Sequence, residues 1–254
     1  LKAQHRITSK PGLACIARAN LERCALALPA LALLVLLSGC AGVKDTTRTF
    51  QTVVIDAGHG GHDTGARSRH GLLEKTAALD VALRLNQKLR DVGFSTVLTR
   101  ADDTFIPLDR RARISNSQDN AVFVSIHFND ARRSWARGAE TFYKSGPGRV
   151  LAGQIEDSLV EIPGVEDRGI KAANFRVLKL AQYPAVLVEC GFLSNGYEAS
   201  LARSSAHRDA LAGKIAEGLV KQRYGRNSEL LARLRGSMPV RVAQAATPSA
   251  DLTR

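Results

Sequence analysis

Between Gln51 and about Gly225 the chain alternates short unbroken apolar runs with longer stretches in which apolar residues recur every three or four positions. Val53-Val54-Ile55 is β-branched throughout and closed by glycines, as in a strand buried on both faces. From Glu74, the residues Leu79, Ala82, Leu83, Leu85, Leu89 and Val92 fall near a helical period, and Gly93 ends the run. Further strands are expected at Phe94–Leu98, Ala121–Ile126 and Ala139–Tyr143, with two more near Phe175–Lys179 and Ala185–Val188. Helices are expected over Asp109–Ser117, near Val150–Val160 and from about Ala206 to Gln222. The first of these reads as carrying an exposed, basic Arg110-Arg111-Ala112-Arg113 face. Strand alternating with helix predicts an α/β domain over residues 51–225.

The two ends follow other patterns. Arg18 and Arg23 precede an apolar stretch from Ala25 to Leu37, short for a spanning helix and suited to a signal-peptide core. It closes on Leu37-Ser38-Gly39-Cys40, which resembles a bacterial lipoprotein signal; residues 1–40 are then leader, and Cys40 becomes the lipidated first residue. An ordinary secretory signal or an uncleaved anchor, with Cys40 incidental, is the alternative. In a two-membrane cell Ala41, rather than Asp, after the cysteine implies by the same resemblance sorting to the outer membrane. Residues 41–50 read as a tether. Residues 226–254 hold a short helical candidate, Ser228–Leu234, and are expected to form a loosely ordered tail.

Charge changes the picture less than its total implies. The net charge is +12, but residues 1–49 carry seven Lys/Arg against two Asp/Glu, and residues 226–254 carry five against two. Residues 50–225 hold 24 against 20. A mildly basic domain tolerates an anionic polymer without requiring nucleic acid, and no nucleic-acid-binding motif is present. No nucleic-acid partner is expected. Of the four cysteines, Cys15 and Cys24 fall in the leader and Cys40 in the lipid-signal motif. Cys190 stands alone in the domain, so no internal disulfide framework is expected.

The candidate chemistry lies where apolar runs stop. Three strand readings deliver His59, His127 and Glu189, and Glu74 opens the first long helix. In a mainly parallel sheet these groups converge on one edge. Two imidazoles and a carboxylate with an open fourth position suit a catalytic zinc ion, and a second carboxylate suits a general base. Each has a plainer reading. His59 serves equally as a hydrogen-bonded structural histidine, and Glu74 as a helix-start acid favoured by the helix dipole. Glu189 follows Val186-Leu187-Val188, and a carboxylate rarely lies near a core without a partner. His62 and His70 sit in polar loops, and His207 begins the last long helix; none is expected to join the site.

These residues carry a family resemblance. VVIDAGHGGHDTGA from Val53, Glu74 in GLLEK, SIHFN at 125–129 and PAVLVECGFLSN at 184–195 resemble the zinc-dependent N-acetylmuramoyl-L-alanine amidases, the Amidase_3 family. Leu98-Thr99-Arg100, Leu108-Asp109-Arg110-Arg111 and Arg168-Gly169 support it. The resemblance covers about Val53 to Tyr224. It implies an open, twisted, mostly parallel sheet flanked by helices on both faces. It also implies one zinc ion on His59, Glu74 and His127, with Glu189 as the catalytic glutamate. Asn129 and Arg168 match positions near the site, where structural roles are equally open. Some periplasmic members carry a plugging helix after the strand matching Ala139–Tyr143; here Lys144–Gly148 leads directly to the next helix.

By this resemblance the chain is a peptidoglycan amidase of the cell envelope, tethered by lipid on Cys40 and working as a monomer. Two rivals remain: a non-catalytic peptidoglycan-binding lipoprotein on the same fold, and a zinc peptidase or deacetylase acting on another amide.

Overall fold

The structure, a computed structural model, describes residues 42–236. The leader, Cys40 and residues 237–254 lie outside the described residues.

Six strands form one sheet: β1 (Thr52–Ala57), β2 (Ser95–Leu98), β3 (Ala121–Asn129), β4 (Ala139–Tyr143), β5 (Asp167–Ala172) and β6 (Ala185–Phe192). Their spatial order is β2-β1-β3-β6-β4-β5. The first four in that order are parallel. β4 is antiparallel to β6, and β5 runs with β4. The sheet is therefore mostly parallel, with a reversed pair at one edge.

Alternation along β1 decides what each face buries. Val53 and Ile55 point into the larger core. There they meet helices α1 (Glu74–Asp91), α3 (Gly146–Leu159) and α6 (Ser205–Tyr224), whose Leu85, Leu89, Leu151, Ile155, Leu211 and Ile215 are fully buried. Each such side chain contributes about 1.5–3 kcal/mol relative to exposure. Val54 points the other way, with Phe123 and Leu187, into a smaller core. Helices α2 (Leu108–Asn116) and α4 (Arg176–Leu180) cover that face, α4 through buried Val177 and Leu178.

Several local expectations are corrected. The strand expected near Phe175–Lys179 is helix α4. It buries the adjacent pair Val177-Leu178 and leaves Lys179 outside, a pattern no two-residue period allows. β5 carries no apolar alternation because it is a charged sheet edge. A further helix, α5 (Gly196–Arg203), follows β6, capped by Asn195. Beyond α6, helix α7 (Ser228–Gly236) buries Leu231 and Leu234, so the segment read as a loose tail opens with a packed helix. Only Lys144 and Ser145 separate β4 from α3. Among the described residues, no helix is long and apolar enough to cross a membrane.

Candidate functional site

The carboxyl ends of β1, β3 and β6 open into a cleft of about 550 Å³ on the side of the smaller core. β1 runs out at Ala57, and His59 two residues later adopts a left-handed backbone with φ of 59°. For a non-glycine residue this conformation is uncommon and must be held by its surroundings. Two buried arginines hold it. Arg111 donates to the carbonyls of Ala57 and His59, each at 2.6 Å, and to the Asp56 carboxylate at 2.7 Å. Arg100 donates to the carbonyls of Ala57 at 2.9 Å and Gly58 at 2.6 Å. Asp56, 1% exposed, also accepts from Thr99 and Ser125, both at 2.6 Å. This corrects the basic face expected on α2: Arg111 is 2% exposed and points inward.

Glu74 opens α1 and is buried at the positive end of the helix. Its Oε1 lies 2.9 Å from His59 Nε2 and 2.8 Å from His127 Nδ1, and accepts from the Phe128 amide at 3.1 Å. Its Oε2 accepts from the Ala66 amide at 2.8 Å. Burial alone would raise the Glu74 pKa, but the hydrogen bonds from His127 and His59 overcome this and hold it well below the usual carboxylate range. For the same reason both imidazoles sit above their ordinary value despite desolvation. Asp63 Oδ1 stands 2.9 Å from the other His59 nitrogen, Nδ1, at ion-pair distance but without hydrogen-bond alignment. Such an acid behind a histidine fixes ring orientation.

Glu189 is the cross-strand partner of His127 on one side and of Glu140 on the other, so the three form a row across one face of the sheet. Its Oε2 is buried and has no hydrogen-bond partner. Burial above all, then the nearby Glu74 and Glu140 charges, push its pKa up to about 7 against the pull of His127. Glu140 is itself buried and fully engaged. Asn129 donates to it at 2.7 Å and Arg168 at 2.9 Å, and Lys171 forms a third bond. Asn129 and Arg168 are thus brought beside Glu189 through Glu140, with the Arg168 guanidinium lying over the Phe192 ring.

The residues present fit a metal ion. His59, Glu74 and His127 each offer one ligand atom, and these atoms lie within 4.8 Å of one another. Two imidazoles and a carboxylate are a borderline donor set of the kind divalent first-row metals take. Glycines clear the space: a Cβ on Gly58 would lie 2.4 Å from the His127 ring, and one on Gly65 2.5 Å from Glu74 Oε2. His62, whose ring packs at a tilt against Phe105, is outside the group, as are His70 and His207. Sequence reasoning missed Asp56, Asp63 and Glu140. It met Arg100 only as part of a resemblance, and Arg111 there and on a face read as exposed. Asp56 had a readable signal, an acid inside a β-branched run; Glu140, on a strand with little alternation, had none.

The model of a family described as N-acetylmuramoyl-L-alanine amidase, Amidase_3, matches residues 53–221. The chain is 40% identical over 174 residues to N-acetylmuramoyl-L-alanine amidase LytC of Bacillus subtilis, covering 67% of this chain and 35% of LytC. It therefore spans about a third of that relative's length. It is 38% identical to Bacillus subtilis YqiI, an uncharacterized protein, covering 66% of this chain and 83% of YqiI. It is 32% identical to a probable cell wall amidase, LytH of Staphylococcus aureus, covering 66% of this chain and 57% of LytH. Among solved structures, an N-acetylmuramoyl-L-alanine amidase from Clostridium difficile 630 superposes with a TM-score of 0.66 at 36% identity, over 68% of this chain and 96% of that one.

Proposed function

The chain belongs to the Amidase_3 family, and from that premise we propose that it hydrolyses the amide between N-acetylmuramic acid and L-alanine in peptidoglycan. One observation supports this reading above the rest. Two imidazoles and a carboxylate from β1, α1 and β3 converge beside the unpartnered Glu189 Oε2, inside an open cleft.

In the proposed reaction His59, Glu74 and His127 would hold one zinc ion. Bound there, it would supply Lewis acidity toward the amide carbonyl and toward water, whose pKa such an ion lowers from 15.7 to about 7. Glu189 Oε2, with no internal hydrogen bond to break, accepts a proton from the attacking water and later delivers it to the departing amine. The Asp63 carboxylate, 2.9 Å from His59 Nδ1, would favour positive charge at that ring. Arg100 and Arg111 fix the strained His59 backbone. Arg168 and Lys171 neutralise Glu140 and Asn129 donates to it, so that the acid beside Glu189 is tied down.

The names of the relatives support action at the cell wall, outside the cytoplasm. Tethering by lipid on Cys40 belongs to the same proposal and rests on the residues preceding that cysteine. Mass spectrometry of purified sacculi digested by the full chain tests the activity. An amidase releases stem peptides with free L-alanine amino ends; cleavage at any other amide, or deacetylated sugars alone, contradicts it.

A further inference from the structure

Trp135 is the only tryptophan in the chain and is 69% exposed. It stands on the Asp130–Gly138 loop between β3 and β4, which leaves the cleft directly from its lining residues Asn129 and Asp130. The loop backbone is pinned along its length. The Ala131 amide donates to Ser194 Oγ at 2.9 Å, and Asn195 Nδ2 donates to the Ser134 carbonyl at 2.9 Å. The Ala136 amide closes a turn onto the Arg133 carbonyl at 3.0 Å, and the Gly138 amide donates to Glu198 Oε1 at 2.8 Å. Ala136, next in sequence to the tryptophan, is buried. A fixed backbone thus holds the indole out in water.

The Arg133 guanidinium lies 5.5 Å from the indole centroid. Arg137 is engaged by Glu166, whereas Arg132 and Arg133 have no carboxylate partner among the described residues. Tyr197, also exposed, is the second residue of α5 and lies two positions after Asn195, the residue that ties the loop down. Aromatic rings joined to unpaired arginines on a rigid support mark a contact surface.

We infer that this loop, together with Tyr197, docks the glycan strand of peptidoglycan where it runs on beyond the cleft. The inference rests on the amidase reading. Three features commit it to that occupant. The loop leaves the cleft wall at Asn129 and Asp130, so a polymer held in the cleft by one linkage can run on along it. Sugar rings present C–H faces that pack on indole and phenol rings. The free carboxylates of stem peptides complement Arg132 and Arg133. A protein partner, for which tryptophan, tyrosine and arginine are also suited, lacks the first argument.

A single tryptophan makes the test direct. The full-length Glu189→Gln chain, which retains the surface and is expected not to consume the ligand, is titrated with soluble peptidoglycan strands bearing stem peptides. Tryptophan emission and acrylamide quenching are followed, and binding is measured separately by sedimentation. Docking predicts a blue shift and quenching reduced about twofold or more as the indole leaves water. An Arg132→Ser/Arg133→Ser double variant with an unchanged melting curve is expected to bind about tenfold more weakly. Strands that bind with no change in emission or quenching overturn the inference and point to a protein partner for the loop; strands that do not bind overturn it as well. Parallel sacculus digests with the unmodified chain separate the two readings. Turnover with a silent tryptophan removes only the docking surface, and a responsive tryptophan without turnover removes only the hydrolase.

Discussion

Gly58 illustrates how the site depends on single atoms. In the sequence Gly58, Gly60 and Gly61 flank His59, so the space they leave is expected to serve that imidazole. The structure assigns Gly58 to a different ring: an added Cβ would lie 2.4–2.7 Å from three atoms of the His127 imidazole, and Gly65 is the glycine that clears His59. The need for glycine was legible, but its beneficiary lies on another strand and depends on the β1–β3 register. Gly58→Ala is expected to displace the His127 ring and weaken metal affinity about 10–100-fold, with the far-ultraviolet circular dichroism unchanged. Competition with a chelator measures this, and an unaltered affinity would show that the ring has room to spare. Glu189 was the most legible member of the site, because an acid after three apolar β-branched or leucine residues announces a cost that only function or a partner explains.

At the level of elements, the long periodic helices and the fully buried strands could be read, since burial on a fixed period leaves a pattern. Short or edge elements could not. RVLKL at Arg176–Leu180 has too few residues to separate a helix from a strand, and β5 shows its partners only a charged edge. α2 was read correctly as a helix but with the wrong inner face, because three arginines looked alike. The structure separates them. Arg111 is buried against Asp56 and Ala57, whereas Arg110 is exposed. Removing Arg111 leaves the buried Asp56 charge without its cation, which typically costs about 3–5 kcal/mol. Arg111→Met should therefore lower the urea midpoint sharply, while Arg110→Met should change stability by no more than about 0.5 kcal/mol. Equal effects of the two would restore the face read from the sequence.

Across the whole molecule, the open α/β architecture followed from alternation and resemblance together. The reversal of β4 and β5 did not, because strand direction is decided by connections rather than composition. The same packing buries acids that serve no chemistry. Glu156 of α3 accepts from Thr141 Oγ1 at 2.7 Å, its other oxygen has no partner, and burial pushes its pKa up to about 7. An unfolded glutamate ionises near 4.5, so between roughly pH 4.5 and 7 the folded chain holds a proton that the unfolded chain has lost. Stability must then fall as pH rises through that window and level off above it. Glu156→Gln is expected to stabilise the protein by on the order of 3 kcal/mol at pH 8 and by almost nothing at pH 4. Urea denaturation at the two pH values checks this, and a gain independent of pH would assign the effect to packing.

The central claim is a division of labour: His59, Glu74 and His127 hold the ion, and Glu189 moves the proton. The most direct test is the metal content of purified Glu189→Gln, assayed on the same preparation for release of L-alanine-ended stem peptides. The account predicts about one zinc ion per chain, as in the unmodified protein, with turnover reduced at least 100-fold. A variant that loses its metal, or one that keeps its turnover, would contradict it.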